Sequence, residues 1–308
     1  RGTAACTYTA RTRISLPQLT HLTVCTGELI TCWISDLPGK WPAQFFYYAG
    51  GVPAVMEEIK SMLHLDVMTV TGKTLGENLE ELKAGGFYDK CDGYLKKWGL
   101  KRTDVIRTFE EPIGTDGTVA ILRGNLAPEG SVVKHSAVPK EMFKAVLKAK
   151  PFDCEEDAIE AVISRKIQPG DAVFIRYEGP KGSGMPEMFY TTEAISSDPE
   201  LGKTIALITD GRFSGASKGP AIGHVSPEAA DGGPIALVEE DDLIRIDIPE
   251  RVLEIIGVKG EELPKEEVER ILAERRKAWK PREAKYKKGV LKIYSEHAVS
   301  PMKGGYMV

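Results

Sequence analysis

A hydroxyl group between glycines is the feature of this sequence that most clearly points to chemistry. The run from Leu207 to Gly215 is typical of an apolar strand that ends in Asp-Gly-Arg-Phe-Ser-Gly, with Ser214 near its tip. Glycines on both sides let the backbone adopt conformations that a side chain forbids, so a ligand can approach Ser214 closely. The same run also fits an ordinary strand-ending turn, and the neighbouring motifs decide between the two interpretations.

Two further loops place polar groups among glycines. Gly182-Ser183-Gly184 is predicted to cradle an anion with its backbone N–H groups, and Glu187 follows shortly after. A carboxylate in that place suits a hard divalent cation, which prefers oxygen ligands; the alternative is a glutamate that caps a helix or faces solvent. His224 is predicted to lie in a turn before a helix that starts near Ser226, and it is either catalytic or a structural hydrogen-bonding group.

Composition excludes several classes of protein. The 308 residues are 42% hydrophobic, which is enough to build a packed core. A net charge of -4 gives no general attraction for phosphate backbones, so we predict no nucleic-acid partner. There is neither an apolar run of about 18 residues nor a signal peptide, so we predict a cytoplasmic protein without a membrane span. The 5 cysteines are irregularly spaced, which favours reduced thiols over disulfides or a zinc knuckle.

The second part of the chain is rich in short strand-like segments separated by Gly, Pro and Asp turns. One helix interrupts them, with Asp153 as its predicted N-cap and Ile163 on its predicted buried side. Short strands with few helical spacers favour a barrel or curled sheet over a doubly wound parallel sheet. The predicted strands are Thr118 to Leu122, Ser131 to Val133, Ala172 to Tyr177, Thr204 to Ile208, Ile235 to Val238 and Leu243 to Ile248.

We therefore predict an α+β protein in three parts. Residues 1–45 form an irregular segment, residues 46–112 a mainly helical part, and residues 113–308 a β-rich, barrel-like domain with flanking helices.

Six motifs in one order resemble a known family. From about Ile34 to its end the chain is similar to the dihydroxy-acid dehydratase and sugar-acid dehydratase family, which includes 6-phosphogluconate, arabinonate and xylonate dehydratases. The resemblance implies that residues 46–112 end an amino-terminal domain, that 113–308 form a barrel-like carboxy-terminal domain, and that the protein is a homo-oligomer. The motifs lie at residues 49–56, 71–78, 124–130, 184–188, 209–215 and 223–229.

The resemblance also implies an activity. Members of the family are hydro-lyases that remove water from a 2,3-dihydroxy carboxylic acid or aldonic acid, a small-molecule substrate, to give a 2-keto acid. An iron–sulfur cluster acts as Lewis acid on the 3-hydroxyl, a magnesium ion holds the carboxylate end, and a serine alkoxide removes the C2 proton. Ser214 matches the serine and Glu187 matches a magnesium ligand. The implied substrate-binding residues are Arg212, Gly215, Ser217 and His224.

Other parts of the family pattern are missing. The cluster cysteines, a second magnesium-binding acid and a modified lysine belong to an amino-terminal domain that this sequence mostly lacks. Cys6, Cys25 and Cys32 are conceivable cluster ligands, but aligning the segment around Tyr8 places Ala4 at the family's cysteine. The iron–sulfur ligands therefore stay unknown, and we expect no cluster on this chain alone.

Two hypotheses follow. In the first, the chain is the carboxy-terminal part of a dehydratase and needs the missing domain from an upstream segment or another chain. In the second, it is a truncated, inactive relative that acts as a binding or assembly module.

Overall fold

The computed structural model describes residues 41–112, 118–214, 217 and 219–308. The chain divides into two compact units, Arg1–Gly117 and Thr118–Val308. The division at residues 45 and 112 stays a prediction, because residues 1–40 and 113–117 lie outside the described residues. Gly215 and the three cysteines proposed as cluster ligands lie outside them as well.

The described residues of the first unit are mostly helical, as predicted. The helix α3 begins with a capping box, in which Thr74 Oγ1 accepts from the N–H of Glu77 and the Glu77 carboxylate accepts from the N–H of Thr74. One cluster of buried apolar side chains in this unit consists of Ala49, Ala54, Leu95, Val105 and Ile106. The helices are α1 (Ala43–Tyr48), α2 (Gly51–Glu58), a 3₁₀ turn (Lys60–Met62), α3 (Leu75–Ala84), α4 (Phe87–Lys96) and α5 (Arg102–Val105).

In the second unit, nine strands of the described residues form one mixed sheet in the order β1-β2-β6-β5-β4-β3-β7-β8-β9. The four central strands β3, β4, β5 and β6 are parallel, and the remaining neighbours pair antiparallel. The strands are β1 (Ala120–Leu122), β2 (Gly130–Val133), β3 (Lys144–Phe152), β4 (Asp171–Ile175), β5 (Ala206–Thr209), β6 (Ala221–Ser226), β7 (Leu243–Asp247), β8 (Val252–Val258) and β9 (Glu261–Glu262).

The sheet curls until its two sides meet. Arg123, directly after β1, pairs with Val252 of β8, and its carbonyl accepts the N–H of Leu253 at 2.8 Å. The Asn125 side chain extends this pairing, because its Nδ2 donates to Ile255 O at 2.9 Å and its Oδ1 accepts the N–H of Ile255 at 2.7 Å. The amide thus replaces a backbone peptide group on β8. These contacts confirm the α+β, barrel-like fold.

The central strands are buried on both faces, which is why they are continuously apolar. In β4, Ala172 and Phe174 point into the core inside the curled sheet, whereas Val173 and Ile175 lie under the helices outside it. The helices of this unit are α6 (Glu155–Ile163), α7 (Pro180–Ser183), α8 (Phe189–Ser196), α9 (Leu201–Thr204), α10 (Lys265–Ala278) and α11 (Val290–His297). The 3₁₀ turns are His135–Ala137, Lys140–Met142, Ala229–Asp231, Pro234–Leu237 and Pro301–Lys303. In the described part of the chain, no helix combines the length and apolar character that a membrane crossing requires.

Three local predictions are wrong. The strand predicted at Ile235 to Val238 is a 3₁₀ turn that starts at Pro234, a residue whose ring fixes φ and which has no N–H for a strand ladder. The helix α6 takes Cys154, not Asp153, as its N-cap. Asp153 instead accepts from Arg176 Nε at 2.7 Å. Ile163, predicted on the buried side of α6, is 72% exposed at the end of the helix.

The Asn125 side chain contributes to the closure of the sheet, and its contribution can be tested. Asn125→Ala leaves the N–H and C=O of Ile255 without partners, so we expect the free energy of unfolding to fall by about 1–3 kcal/mol. Asn125→Asp keeps the acceptor but places a carboxylate oxygen against the carbonyl oxygen of Ile255, so its loss should be no smaller. Urea denaturation followed by circular dichroism measures both. A loss below about 0.5 kcal/mol for the alanine variant contradicts this role of the amide.

Candidate functional site

The candidate site lies at the carboxyl ends of three neighbouring parallel strands. The strands β4, β5 and β6 run in the same direction, so the loops that follow them, 176–188, 210–217 and 227–233, start at one edge of the sheet. In sheets with parallel strands, ligands bind at this edge. The described residues that the sequence predicts as functional all lie in these loops or on β6.

The loop of Glu187 runs beside the loop of Ser214. Glu187 and Arg212 form a parallel bridge, and the N–H of Met188 donates to Arg212 O at 3.1 Å. Ser214 follows Arg212 by two residues, and its carbonyl accepts the N–H of Ser217 at 3.1 Å. The structure therefore brings Glu187, Arg212, Ser214 and Ser217 to the same pair of loops.

The polar side chains at this edge differ in their partners. Arg212 donates from Nε to the carbonyl of Met185 at 2.9 Å, which ties the two loops together a second time. The Glu187 side chain is exposed and makes no hydrogen bond or ion pair with the described residues. Ser217 Oγ is buried and finds no hydrogen-bond partner among them.

A glycine is required where the two loops approach each other. A Cβ on Gly211 would lie 2.6 Å from Met188 Cε and 2.8 Å from the carbonyl oxygen of Glu178. Both distances are too short for a carbon atom, so the close approach of these neighbours requires a glycine at this position.

His224 lies in the strand β6, so the prediction of a turn followed by a helix at Ser226 is wrong. Its φ is +57°, and its N–H donates to the carbonyl of Gly211 at 2.8 Å. Burial, and then the positive charge of Arg212, lower the pKa of His224 to about 4. The imidazole is therefore neutral at neutral pH. It can donate or accept a hydrogen bond there, and it adds no positive charge to the site.

Asp210 accepts hydrogen bonds from three loop N–H groups, and nothing in the sequence distinguishes it from other turn residues. It is fully buried directly after β5. Its Oδ1 accepts the N–H of Glu178 at 3.0 Å, and its Oδ2 accepts those of Tyr177 at 3.2 Å and Ala229 at 2.8 Å. Burial raises the pKa of Asp210 to about 6, although these three N–H groups oppose the rise.

Glu228 is a second buried acid that the sequence did not single out. Its carboxylate accepts the N–H groups of Lys181 and Gly182, each at 3.0 Å, at the start of α7. Burial, and then the negative charge of Asp210, raise the pKa of Glu228 to about 8. The predicted anion cradle at 182–184 is therefore wrong for an external anion. The N–H group of Gly182 bonds to Glu228, and those of Ser183 and Gly184 bond to backbone carbonyls, so all three donors are already occupied within the protein.

Glu178 completes the set of buried acids at this edge. Ser183 Oγ donates to its Oε2, and Lys285 Nζ lies 3.7 Å from its Oε1. All three acids are at most 2% exposed. Glu178 and Asp210 could have been suspected only from their positions after predicted strands, whereas Glu228 follows no predicted strand.

Among the described residues, one side chain is suited to bind a metal ion, and no set of side chains is suited to hold an iron–sulfur cluster. Within the described ranges, no three or more His, Cys, Asp or Glu side chains are grouped to hold a metal ion. The exposed, unpaired carboxylate of Glu187 fits a single oxygen ligand of a magnesium ion that keeps several waters. Cys91 is buried in α4 of the first unit and Cys154 caps α6 in the second, so neither belongs to a described group of thiolates.

Comparison with known proteins identifies the family. Residues 104–305 match the family model "Dihydroxy-acid/6-phosphogluconate dehydratase C-terminal", and residues 29–78 match the corresponding N-terminal model. The chain belongs to the dihydroxy-acid/6-phosphogluconate dehydratase family. The resemblance inferred from the six motifs is confirmed.

Relatives in this family share close to half of the aligned residues. The chain is 46% identical over 269 residues to a protein of Caldanaerobacter subterraneus subsp. tengcongensis named dihydroxy-acid dehydratase, covering 86% of this chain and 44% of that protein. It is 50% identical over 262 residues to the dihydroxy-acid dehydratase of Agathobacter rectalis, covering 84% and 42%. For that of Methanosarcina barkeri the identity is 50% over 238 residues, covering 74% and 40%. The chain thus spans less than half the length of these relatives.

The raised pKa of Glu228 predicts a pH dependence of stability. Its folded-state pKa of about 8 exceeds the ordinary 4.5, so folding takes up a proton between these values. The free energy of unfolding therefore falls as pH rises from 5 to 8, by at most about 1.4 kcal/mol per pH unit from this group. Glu228→Gln should flatten the curve over this range. Urea unfolding at several pH values measures the slope, with Glu261→Gln on the exposed edge strand as control. Parallel curves for wild type and Glu228→Gln contradict the shifted pKa.

Proposed function

We propose that this chain supplies the carboxy-terminal half of a dehydratase active site, which removes water from a 2,3-dihydroxy carboxylic acid or aldonic acid to give a 2-keto acid. The observation that carries the proposal is the pairing of Glu187 with Arg212 at the carboxyl ends of the parallel strands. This pairing supports a shared site, because it brings a carboxylate suited to Mg²⁺ next to the loop of Ser214. The relatives' names support the reaction class.

Ser214 is the proposed base. Its Oγ, as an alkoxide, takes the proton from C2, and the C3 hydroxyl takes up a proton and leaves as water. The resulting enol gains a proton at C3 and loses the proton of its 2-hydroxyl to become the 2-keto acid. A serine hydroxyl is too weakly acidic to lose its proton in water. Formation of the alkoxide base therefore requires positive charge nearby. Glu187 is the proposed magnesium ligand of this chain, and Mg²⁺, when bound, supplies the charge that stabilises the alkoxide and the developing enolate.

The remaining predicted residues are proposed to bind substrate. Arg212 offers a guanidinium for the carboxylate end, and Ser217 and Gly215 belong to the same loop. His224, neutral at the working pH, can bond a substrate hydroxyl without adding charge. We further propose a cytoplasmic homo-oligomer with a small-molecule substrate. The described cysteines, Cys91 and Cys154, do not fit an iron–sulfur cluster.

The two hypotheses about the chain differ in whether turnover appears once an amino-terminal domain is supplied. Iron and acid-labile sulfide are measured after anaerobic purification, together with 2-keto acid formation from a panel of aldonic and 2,3-dihydroxy acids. A cluster with turnover supports a self-sufficient dehydratase. Absence of all three on this chain, with turnover restored by adding the amino-terminal domain of a relative, supports the half-site. Failure of restoration favours a binding or assembly module.

Ser214→Ala tests the base. In the active complex that contains this chain, we expect turnover to fall by about 10²–10⁴-fold, because no other hydroxyl of the loop matches the family's base. The thermal unfolding midpoint should stay within about 2 °C of wild type, as befits a loop residue. Ser197→Ala, at the exposed end of α8, is the matched control and should leave turnover unchanged. Full activity of Ser214→Ala rejects the assignment, and so does a stability loss as large as that of a core substitution.

Glu187→Gln tests the magnesium ligand. The amide keeps the size of the side chain and removes the charge, so we expect half-maximal activation to require at least about tenfold more Mg²⁺. Titration of turnover with Mg²⁺ provides the measurement, and Glu193→Gln on the exposed side of α8 provides the comparison. An unchanged titration for Glu187→Gln removes this residue from the metal site.

A further inference from the structure

One buried carboxylate connects all three loops of the candidate site. Asp210 begins the Ser214 loop, accepts two N–H groups from the loop that leads to Glu187, and accepts a third from the loop that follows His224. Buried N–H groups without an acceptor cost about 1–3 kcal/mol each, so the carboxylate fixes where all three loops start.

Glu228 reinforces the same arrangement from the opposite side. Its backbone lies next to Ala229, which is bound to Asp210, while its carboxylate holds the N–H groups of Lys181 and Gly182. The 177–184 segment is therefore held at one end by Asp210 and at the other by Glu228. Glu187 follows this segment and pairs with Arg212, which lies two residues beyond Asp210.

We propose that Asp210, supported by Glu228, is a positioning residue for the dehydration reaction, and that it sets the distance between the base on Ser214 and the metal ligand Glu187. This inference rests on the proposed function. Neither acid touches the substrate. Each acts through backbone N–H groups of the loops that do.

The chemistry of the carboxylate explains why an aspartate is needed at this position. The Asp210 bonds are divided between both oxygens, with Glu178 on Oδ1 and with Tyr177 and Ala229 on Oδ2. An asparagine has one acceptor and one donor group, so it satisfies one of these sides and places an N–H against an N–H on the other. Asp210→Asn therefore keeps the volume of the side chain and releases one loop.

The sheet itself provides a matched control. Asp171 is 5% exposed and begins β4 at the opposite edge of the sheet, where it accepts the N–H of Gln168 at 2.8 Å. Asp171 is the same residue type as Asp210 and is similarly buried. It lies on β4, which is the neighbour of the strand β5 that precedes Asp210. A substitution of Asp171 therefore reproduces the loss of a buried carboxylate without touching the site loops.

The first measurement needs no activity. Hydrogen exchange by mass spectrometry on the full chain should show at least about tenfold faster exchange for Asp210→Asn in segments 176–188 or 227–233. Asp171→Asn should show faster exchange only around residues 165–172. Unchanged exchange in both site loops of Asp210→Asn overturns the proposal.

The second measurement separates positioning from general stability. In the active complex, Asp210→Asn should lower kcat by at least about tenfold while KM stays within about threefold, because a misplaced base slows the chemical step more than it weakens binding. Asp171→Asn should leave both constants unchanged. If Asp210→Asn does not fold, Glu228→Ala takes its place, because it removes the acceptor of the Lys181 and Gly182 N–H groups, and the same direction of change is expected. A kcat equal to that of Asp171→Asn overturns the proposal.

The positioning role and the proposed function are rejected by different results. If Ser214→Ala is inactive while Asp210→Asn and Glu228→Ala retain full kcat, the positioning role is rejected and the proposed function stands. If Ser214→Ala retains full turnover, the proposed function itself is rejected and the positioning role with it.

Discussion

The candidate site depends on how buried backbone N–H groups find acceptors at the edge of a parallel sheet. Where β4, β5 and β6 end, the chain leaves the hydrogen-bonded ladder, and the N–H groups of the next residues need new partners. Asp210 and Glu228 provide them from inside the protein. Burying two carboxylates is unfavourable, as their raised pKa values show. This arrangement of the loops therefore lowers the stability of the fold.

The rest of the second unit supplies the frame that makes such an edge possible. Alternate side chains of β4 and β5 pack into the curled sheet and under the outer helices, so these strands are fixed on both faces. The sheet is closed by the pairing of Arg123 with β8 and by the Asn125 amide. Both residues are distant in sequence from the site loops. Because the strands are fixed, the positions of the site loops depend on the hydrogen bonds that the loops themselves make. We therefore infer that these hydrogen bonds control the geometry of the site.

Sequence reasoning reached the family, the α+β barrel-like fold and the loop of Ser214, because these follow from long motifs and from short strands with clear turn residues. The sequence-based predictions failed where a pattern is compatible with two different structures. The apolar run at Ile235 resembles a strand until Pro234 is seen to start a 3₁₀ turn. Strand β3 was missed because the exposed Val146 interrupts the alternation of its lysines with apolar residues. Asp210 and Glu228 look like turn and capping residues. Their partners, Tyr177 and Lys181, are more than 30 residues away in sequence, so no local window reveals them.

Glu187 and the Ser214 loop are proposed to face one metal-binding place at the edge of the sheet. Paramagnetic broadening by Mn²⁺ in the isotope-labelled chain tests this arrangement. We expect the amide signals of residues 186–188 and of Arg212 to Ser214 to broaden together at low Mn²⁺, and this joint broadening to disappear when Glu187 is replaced by glutamine. Broadening at residues 186–188 that leaves Arg212 to Ser214 unaffected, or that survives the replacement, would show that the two loops do not share a metal-binding place.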